Sequence, residues 1–283
     1  MAEKDAGSRV RDALRIDGEL PDPGSTPVGP GKKPKALAKL ESAGTRLSAL
    51  QEALYAEGVG GGQRRVLLVL QGMDTSGKGG TVSHVLGLVN PMGVRYAGFK
   101  QPTAAERRHH YLWRIRKQLP APGQIGVFDR SHYEDILVPR VSGLLTAAER
   151  RRRYAELVAF EEDLAGAGTT VVKVFLHISP EEQLKRLKAR LETPEKYWKY
   201  NPGDLEARAH WPAYQEAYAD IFKRTSTAGA PWYAVPADHK WYRNWAVAEL
   251  LIETLAELGP EFPEPGYDVD AELKKLKGVG APG

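Results

Sequence analysis

The feature that most constrains the fold is an apolar run that leads directly into a glycine-rich loop and then into a helical stretch. The run RRVLLVLQ (64–71) fits a strand buried on both faces. In the loop GMDTSGKG (72–79), Gly72, Gly77 and Lys78 keep the spacing of a phosphate-binding loop. In such a loop, backbone N–H groups, the positive end of the next helix and the lysine hold phosphate oxygens. The sequence therefore predicts a phosphate site at this position.

The residue after Lys78 departs from the usual pattern of this loop. It is Gly79, where a Ser or Thr commonly helps to hold magnesium, so the metal needs another ligand, and Asp74 is the obvious candidate. The alternative is a glycine-rich turn that only connects a strand to a helix. The strand, the lysine and the helix in their places all disfavour that alternative. The other loop residues expected around the phosphate are Thr75, Ser76 and Gly80.

A second carboxylate follows another predicted strand. The stretch QIGVFDRSHYEDILVPRV (124–141) predicts a short strand that ends in Asp129-Arg130-Ser131. Ligands gather at the carboxyl ends of strands in open α/β sheets, so Asp129 and Asp74 are expected to converge. Two such carboxylates can position magnesium and orient an acceptor oxygen, and Arg130 can stabilise a transferred phosphoryl group. The alternative is that Asp129 caps the next helix and Arg130 pairs with a surface acid.

Strands and helices alternate along the chain, which predicts an α/β fold. We expect a three-layer α/β/α sandwich with a mainly parallel, five-stranded sheet. The expected strands lie near 64–71, 94–99, 125–128, 170–178 and 232–235. The expected helices lie near 35–57, 78–89, 103–118, 146–165, 204–225 and 239–258.

The two ends of the chain differ from its middle. Residues 1–34 mix Pro, Gly and charge without apolar periodicity, which predicts a flexible N-terminal arm. Residues 35–258 are expected to form a single domain. Residues 259–283 are again rich in Pro and Gly, and we expect a C-terminal tail that lies on the surface or is disordered.

Composition excludes several kinds of chemistry. The 283 residues include no cysteine, which excludes disulfides, thiolate metal sites and cysteine nucleophiles. No apolar run approaches the roughly 18 residues that a membrane helix needs, and the N-terminus is charged where a signal peptide would be apolar. We therefore expect a cytoplasmic protein with no membrane partner.

Positive charge is concentrated in one part of the chain. The formal net charge is +4, but residues 64–117 alone carry ten Lys or Arg against two acids. Within that part, QPTAAERRHHYLWRIRK (101–117) predicts a basic helix. Lys100, Arg107 and Arg114 are the candidate contacts for a polyanion along it. The alternative is a solvated basic face with no ligand.

The segment QLKRLKARLETPEKYWKYNPGD (183–204) is predicted to be a lid. It is a basic helix that breaks at Pro194 into an aromatic, basic loop, as expected of a lid over a phosphoryl-transfer site. Arg186 and Arg190 are four residues apart, on one helix face, and could reach the transferring phosphates. The alternative is a helical hairpin without a gating role.

Taken together, five segments resemble the family-2 polyphosphate kinases, which are P-loop kinases related in fold to thymidylate kinase. They occur in consistent order over about 180 residues, and Gly79 is not unusual in that family. The segments are QGMDTSGKGG (71–80), FKQPTAAERRHHYLWR (99–114), FDRSHYEDILVPRV (128–141), RLKARLETPEKYWKYNPGD (186–204) and PADHKWYRNWAV (236–247).

The resemblance implies a reversible transfer of phosphoryl groups between inorganic polyphosphate and nucleoside mono-, di- and triphosphates. It implies Mg²⁺, with Mn²⁺ as a substitute, held by Asp74 and Asp129, and a homo-oligomer. Ser131 and Glu134 would contact the nucleotide, and Glu134 looks like the subgroup that phosphorylates mono- as well as diphosphates. The residues implied to surround phosphate or to stabilise its charge are Gly72, Gly77, Lys78, Gly79, Arg130, Arg186 and Arg190.

Two other functions share some of these features. A P-loop kinase that uses ATP to phosphorylate a small metabolite or nucleotide would have the same loop, lid and aspartates. It would give little reason for the concentrated basic segment, which favours polyphosphate. A nucleic-acid-binding module could use the basic helix, but paired aspartates near the loop would repel a nucleic-acid backbone, so we expect no nucleic-acid partner.

Overall fold

The apolar run before the glycine-rich loop forms the central strand of a parallel sheet. The computed structural model describes residues 9–277 and 279. Its sheet has the order β2-β3-β1-β4-β5, and the register places Asp129, at the end of β3, beside Leu70 of β1. The carboxyl ends of β1 and β3 therefore lie together. The strands are β1 (Arg65–Gln71), β2 (Val94–Gly98), β3 (Ile125–Asp129), β4 (Thr169–His177) and β5 (Trp232–Pro236).

Helices cover both faces of the sheet, which confirms the three-layer α/β/α sandwich. Alternate residues of β1 belong to different cores: Leu68 packs in the core with α2, α3 and α10, and Val69 packs in the core with α5, α6 and α9. No helix in the described part of the chain is long and apolar enough to span a membrane. The helices are α1 (Val10–Leu14), α2 (Lys33–Val59), α3 (Lys78–Val85), α4 (Leu112–Arg116), α5 (Glu134–Val141), α6 (Ala147–Gly166), α7 (Pro180–Leu191), α8 (Gly203–Ala209), α9 (Trp211–Thr225), α10 (Lys240–Leu258) and α11 (Val269–Lys277).

Two of the predicted helices are wrong in extent. The basic helix expected at 103–118 is reduced to α4, because Thr103 and Glu106 close a single turn with reciprocal hydrogen bonds and His109 is extended. The helix expected at 204–225 is divided at His210 into α8 and α9. Pro212 lacks an N–H, so it suits the first turn of a new helix and not the interior of a continuous one.

The N-terminal arm expected to be flexible is ordered from Arg9 onward. Val10 and Leu14 of α1 are buried in the core beside α10. The Glu253 carboxylate of α10 accepts hydrogen bonds from the backbone N–H groups of Val10 (2.8 Å) and Arg11 (2.9 Å). The sequence prediction failed because α1 has only two buried apolar residues, too few to show a helical period. Residues 1–8 of that prediction lie outside the described residues.

The C-terminal tail leaves α10 at Gly259, which has positive φ, and follows the surface. It contains α11, which the sequence analysis did not predict, and none of the α11 residues is buried. Residues 278 and 280–283 of the predicted tail lie outside the described part of the chain.

We expect Leu14→Ala to lower the free energy of unfolding by about 2–5 kcal/mol, because the side chain is 1% exposed and its loss leaves a cavity. Glu19→Ala, an exposed position in the same segment, is the matched control and should change stability by less than about 0.5 kcal/mol. Denaturant unfolding measures both variants. Equal stabilities would contradict the packing of α1.

Candidate active site

The glycine-rich loop has the backbone conformation that its glycines predict. Gly72 and Gly77 have φ of 147° and 108°, and a Cβ at either position would collide with Leu176 or Arg243. Lys78 begins α3, is 8% exposed and donates from Nζ to the carbonyl of Gly72 (2.7 Å). Burial, followed by the Arg130 charge, lowers the pKa of Lys78. A buried ammonium group at the start of a helix is therefore available to an anion.

Arg130 and Asp74 meet at the loop, and Asp129, beside Leu70 of β1, is close enough for its charge to act on Lys78 and Arg130. Arg130 Nη2 donates to Asp74 Oδ1 (2.8 Å), so the partner of Arg130 is a loop residue and not a distant surface acid. Burial opposes the charge of Arg130, but Glu134 and Asp74 outweigh it and raise the pKa. Among described non-glycine residues, only Thr75 and Arg130 have positive φ, which marks backbone strain at this site.

The residues after Asp129 connect the loop to the half-buried carboxyl group of Glu134. Gln71 can donate to Glu134 Oε1 (3.0 Å) and accept from the Ser131 backbone N–H (3.2 Å). Burial raises the pKa of Glu134, while the charges of Arg130 and Lys78 oppose that shift. Ser131 is fully buried and accepts the Tyr133 N–H in a tight turn. Glu134 therefore lies within the charge environment of the loop, whereas Ser131 shapes the backbone.

A buried ion pair between Lys173 and Glu161 holds the turn at residues 130–134 in place. Lys173 on β4 donates to Glu161 on α6 (2.6 Å) and to the Thr225 carbonyl at the end of α9 (2.6 Å). His132 and Tyr133 both hydrogen-bond to Glu161. Burial opposes ionisation of Glu161, but the bonds from His132 and Lys173 lower its pKa overall. The turn that carries Arg130 and Glu134 is thus anchored to three elements of the fold.

The donor set at the loop fits Mg²⁺. The described residues contain no cluster of three or more His, Cys, Asp or Glu that could hold a metal by itself. Asp74 and Asp129 supply carboxylate oxygens, and Mg²⁺ in phosphoryl-transfer sites takes one or two carboxylates, with phosphate oxygens and waters completing its coordination. Two carboxylates are therefore enough to hold a Mg²⁺ ion whose other ligands are phosphate oxygens and waters.

The predicted lid leaves the sheet next to the loop. The segment is α7, a 3₁₀ turn at Pro194–Lys199 and the start of α8, which confirms the break at Pro194. Arg190 donates to Asp204 Oδ2 (2.9 Å) and to the Lys199 carbonyl. Burial and the charge of Asp74 raise the pKa of Asp204. The base of the lid therefore lies close to the phosphate loop; its gating role stays a prediction.

The structure places Arg186 differently from the expectation. It is 9% exposed, and its guanidinium donates to the backbone carbonyls of the loop residues Thr75 and Ser76. Further bonds go to Glu182, Ala237 and Asp238. All five N–H groups are therefore used within the protein, so Arg186 has no donor left for a phosphate.

A basic cavity of about 290 Å³ opens between the loop and the lid. Thr75, Gly77 and Gly80 line it, and none of the described residues in its wall carries a carboxylate. Four cations of the wall are not among the residues predicted from the sequence. They are Lys196, Lys199, Lys240 and Arg243. Lys240 and Arg243 belong to the segment 236–247, one of the five that carry the family resemblance, which contains no predicted site residue. Gly79, at the start of α3, has no atom near its Cβ position.

Arg243 lies directly against the loop. It is 2% exposed, and Nη1 lies 3.4 Å from the Ser76 carbonyl oxygen. Burial and the nearby Arg186 charge lower the pKa of Arg243 to about 10. Two buried guanidinium groups therefore lie on the same side of the phosphate loop.

The basic segment at 100–114 lies elsewhere. Arg114 is buried and donates to the Lys100 carbonyl (2.7 Å) and to Asp135 (2.9 Å), so it is a structural ion pair and not part of a free track. Lys100 and Arg107 are exposed. Arg107 lines a separate cavity that also contains the carboxylates of Asp135 and Glu156. The concentrated charge in the sequence is therefore divided in space.

A parallel α/β sheet with a lysine-bearing glycine-rich loop after its central strand, and with aspartates near that lysine, is typical of phosphate-loop phosphotransferases. The family model of polyphosphate kinase 2 (PPK2) matches residues 31–262. The chain belongs to the polyphosphate kinase 2 family.

Relatives agree with this assignment over nearly the whole chain. The chain is 48% identical over 257 residues to an AMP/ADP-polyphosphate phosphotransferase of Meiothermus ruber, covering 91% of this chain and 95% of the relative. It is 41% identical to an ADP-polyphosphate phosphotransferase of Rhodopseudomonas palustris, covering 82% and 83%. The crystal structure of polyphosphate kinase 2 from Arthrobacter aurescens has a TM-score of 0.93 at 48% identity, covering 96% of this chain and 98% of that one.

Two loop glycines should respond oppositely to alanine. Gly77→Ala should lower the free energy of unfolding by about 1–3 kcal/mol, because φ is positive and the Cβ would lie 1.7 Å from Arg243. Gly79→Ala, inside α3 with open space, should be neutral or stabilise by up to about 1 kcal/mol. Thermal and denaturant unfolding measure both, and a Gly77→Ala protein as stable as Gly79→Ala would contradict the loop geometry.

Proposed function

We propose that the protein transfers phosphoryl groups between inorganic polyphosphate and nucleoside phosphates, with Mg²⁺ as the metal. The observation that carries the proposal is the cavity beside the phosphate loop, whose wall contains six lysines and arginines and no carboxylate among its described residues. The names of the relatives, which are polyphosphate phosphotransferases, support it.

The cavity between the loop and the lid, where the phosphoryl donor is proposed to bind, suits a polyanion better than ATP. A site for an adenine ring needs apolar walls with a few placed hydrogen-bonding groups. The described wall of this cavity has no large apolar side chain, and Lys196, Lys199 and Lys240 supply ammonium groups around it. A phosphate chain with its end in the loop would extend along these lysines. We therefore propose that the polyphosphate track lies at the lid and the N-terminus of α10, instead of along residues 101–117.

The acceptor nucleotide is proposed to lie on the other side of the loop. Asp129, Arg130 and Glu134 are grouped there by the turn after β3. Glu134, the residue that resembles the AMP-accepting subgroup, lies within the charge environment of Arg130 and Lys78. The similarity to an enzyme named for both AMP and ADP supports acceptance of both nucleotides.

The transfer needs no covalent enzyme intermediate. An oxygen of the nucleotide's last phosphate attacks the terminal phosphorus of the chain, and the bond from that phosphorus to the bridging oxygen breaks. The chain leaves one phosphate shorter, with its electron pair on the former bridging oxygen. Lys78 and Arg130 would stabilise the charge of the transferring group. Mg²⁺ or Mn²⁺ held by Asp74 and Asp129 would neutralise phosphate oxygens.

The direct test incubates the purified protein with Mg²⁺, polyphosphate and either ADP or AMP, and measures ATP by luciferase and ADP by chromatography. We expect product from both nucleotides. Lys78→Ala and Asp129→Asn should each reduce turnover by at least about 100-fold with the fold intact by circular dichroism. Absence of nucleotide product and of chain shortening in the wild-type protein would refute the proposed function.

The position of the polyphosphate track has its own test. Lys199→Ala should raise the KM for long-chain polyphosphate several-fold, because it removes one cation from the cavity wall. Arg107→Ala, in the separate cavity, and Lys188→Ala, exposed on α7, should leave that KM unchanged. An unchanged KM for Lys199→Ala together with a raised KM for Arg107→Ala would contradict this position and support a track along residues 101–117.

A further inference from the structure

Three successive carbonyl groups of the phosphate loop are held by one face of α7. Gln183 Nε2 donates to the Asp74 carbonyl oxygen (3.2 Å). Arg186 Nη1 donates to the carbonyl oxygens of Thr75 (3.0 Å) and Ser76 (3.1 Å). Gln183 is fully buried and Arg186 nearly so. The two side chains are three residues apart and therefore lie on the same side of the helix.

We propose that Gln183 and Arg186 are positioning residues that hold the phosphate loop in its anion-binding conformation. Bonds from α7 fix the carbonyl oxygens of residues 74–76 toward that helix. A fixed carbonyl direction fixes the peptide planes, and so the direction in which the loop presents its backbone N–H groups. Pre-oriented N–H groups bind phosphate without reorganisation.

The backbone of Thr75 shows why such a hold is needed. Thr75 is β-branched and has φ of 64°, a conformation that a threonine rarely adopts on its own. Its carbonyl is one of the two that Arg186 binds. Strained conformations of this kind persist only where the surrounding structure enforces them.

Arg186 also connects the loop to two other parts of the site. Its Nη2 donates to the carbonyl oxygens of Ala237 (2.7 Å) and Asp238 (2.9 Å), in the connection between β5 and α10. Asp238 in turn accepts the N–H of Ser179, the N-cap of α7. One guanidinium therefore joins the phosphate loop, the helix that leads to the lid and the start of α10.

The test separates positioning from direct phosphate binding by salt dependence. Arg186→Lys keeps the charge but loses the planar fork, so kcat/KM for polyphosphate should fall by about 100-fold. The slope of log kcat/KM against log salt should stay at the wild-type value. Lys199→Ala, which the proposed function makes a phosphate contact, should reduce that slope by about 0.7. Lys188→Ala, exposed on α7, should leave both quantities unchanged.

A double-mutant cycle with Thr75→Gly tests the proposed cause. Glycine adopts positive φ without strain, so Arg186→Lys should cost only about 10-fold in the Thr75→Gly protein. An undiminished loss in that background would overturn the inference. So would wild-type activity of Arg186→Lys, or a loss confined to KM with a reduced salt slope.

A second variant covers the case in which Arg186→Lys does not fold. Gln183→Met keeps the length of the side chain without adding a charge, and removes the donor to the Asp74 carbonyl. Arg208 loses its Gln183 acceptor but still donates to the Pro180 carbonyl (2.7 Å). We expect reduced kcat/KM, an unchanged salt slope and a folded protein by circular dichroism. Unchanged kcat/KM would refute the role of Gln183.

This inference rests on the proposed function for its assay. If the wild-type protein transfers no phosphate, the proposed function fails, and the affinity of the variants for tripolyphosphate is compared by calorimetry instead. Weaker binding by Arg186→Lys and Gln183→Met than by Lys188→Ala would still support the positioning role. Equal affinities of the three variants would overturn it.

Discussion

The rest of the site depends on one buried ammonium group, that of Lys78. Removal from water disfavours its charge, and the surrounding chain compensates with the Gly72 carbonyl and with Asp74 and Asp129 nearby. The negative charge of those acids is in turn offset by Arg130, which forms an ion pair with Asp74. The positive and negative groups of the site therefore balance one another, and the proposed phosphate ligand and its Mg²⁺ would bind between them.

The buried arginines and the cavity lysines have two different uses. Arg186 and Arg114 are buried and donate hydrogen bonds to backbone carbonyls and carboxylates, so they fix the positions of chain segments. The lysines of the lid and of α10 remain at the wall of the cavity, where they can meet a ligand. Planar guanidinium groups suit the first use because they bind several fixed acceptors at once, whereas flexible ammonium groups suit a chain of phosphates without fixed register.

Most of the fold could be predicted from the sequence, because apolar runs and helical periods are local signals. The loop residues and the convergence of Asp129 with Asp74 followed from strand–loop–helix order and the rule for carboxyl ends of parallel strands. Gln183 and Arg243 could not be found in this way, since their roles depend on where α7 and α10 pack. The prediction of a polyanion track along residues 101–117 rested on a count of charges in the sequence. Such a count does not show that Arg114 is paired with Asp135.

The docking of α1 also determines when the fold can be completed. Its partners are Glu253 and the strand residues Trp232 and Tyr233, which lie more than 200 positions later in the chain. During synthesis the first helix emerges long before the surface that buries it exists. Native docking of α1 therefore cannot precede the synthesis of β5 and α10, and Val10 and Leu14 lack their final partners until the end of α10 has left the ribosome.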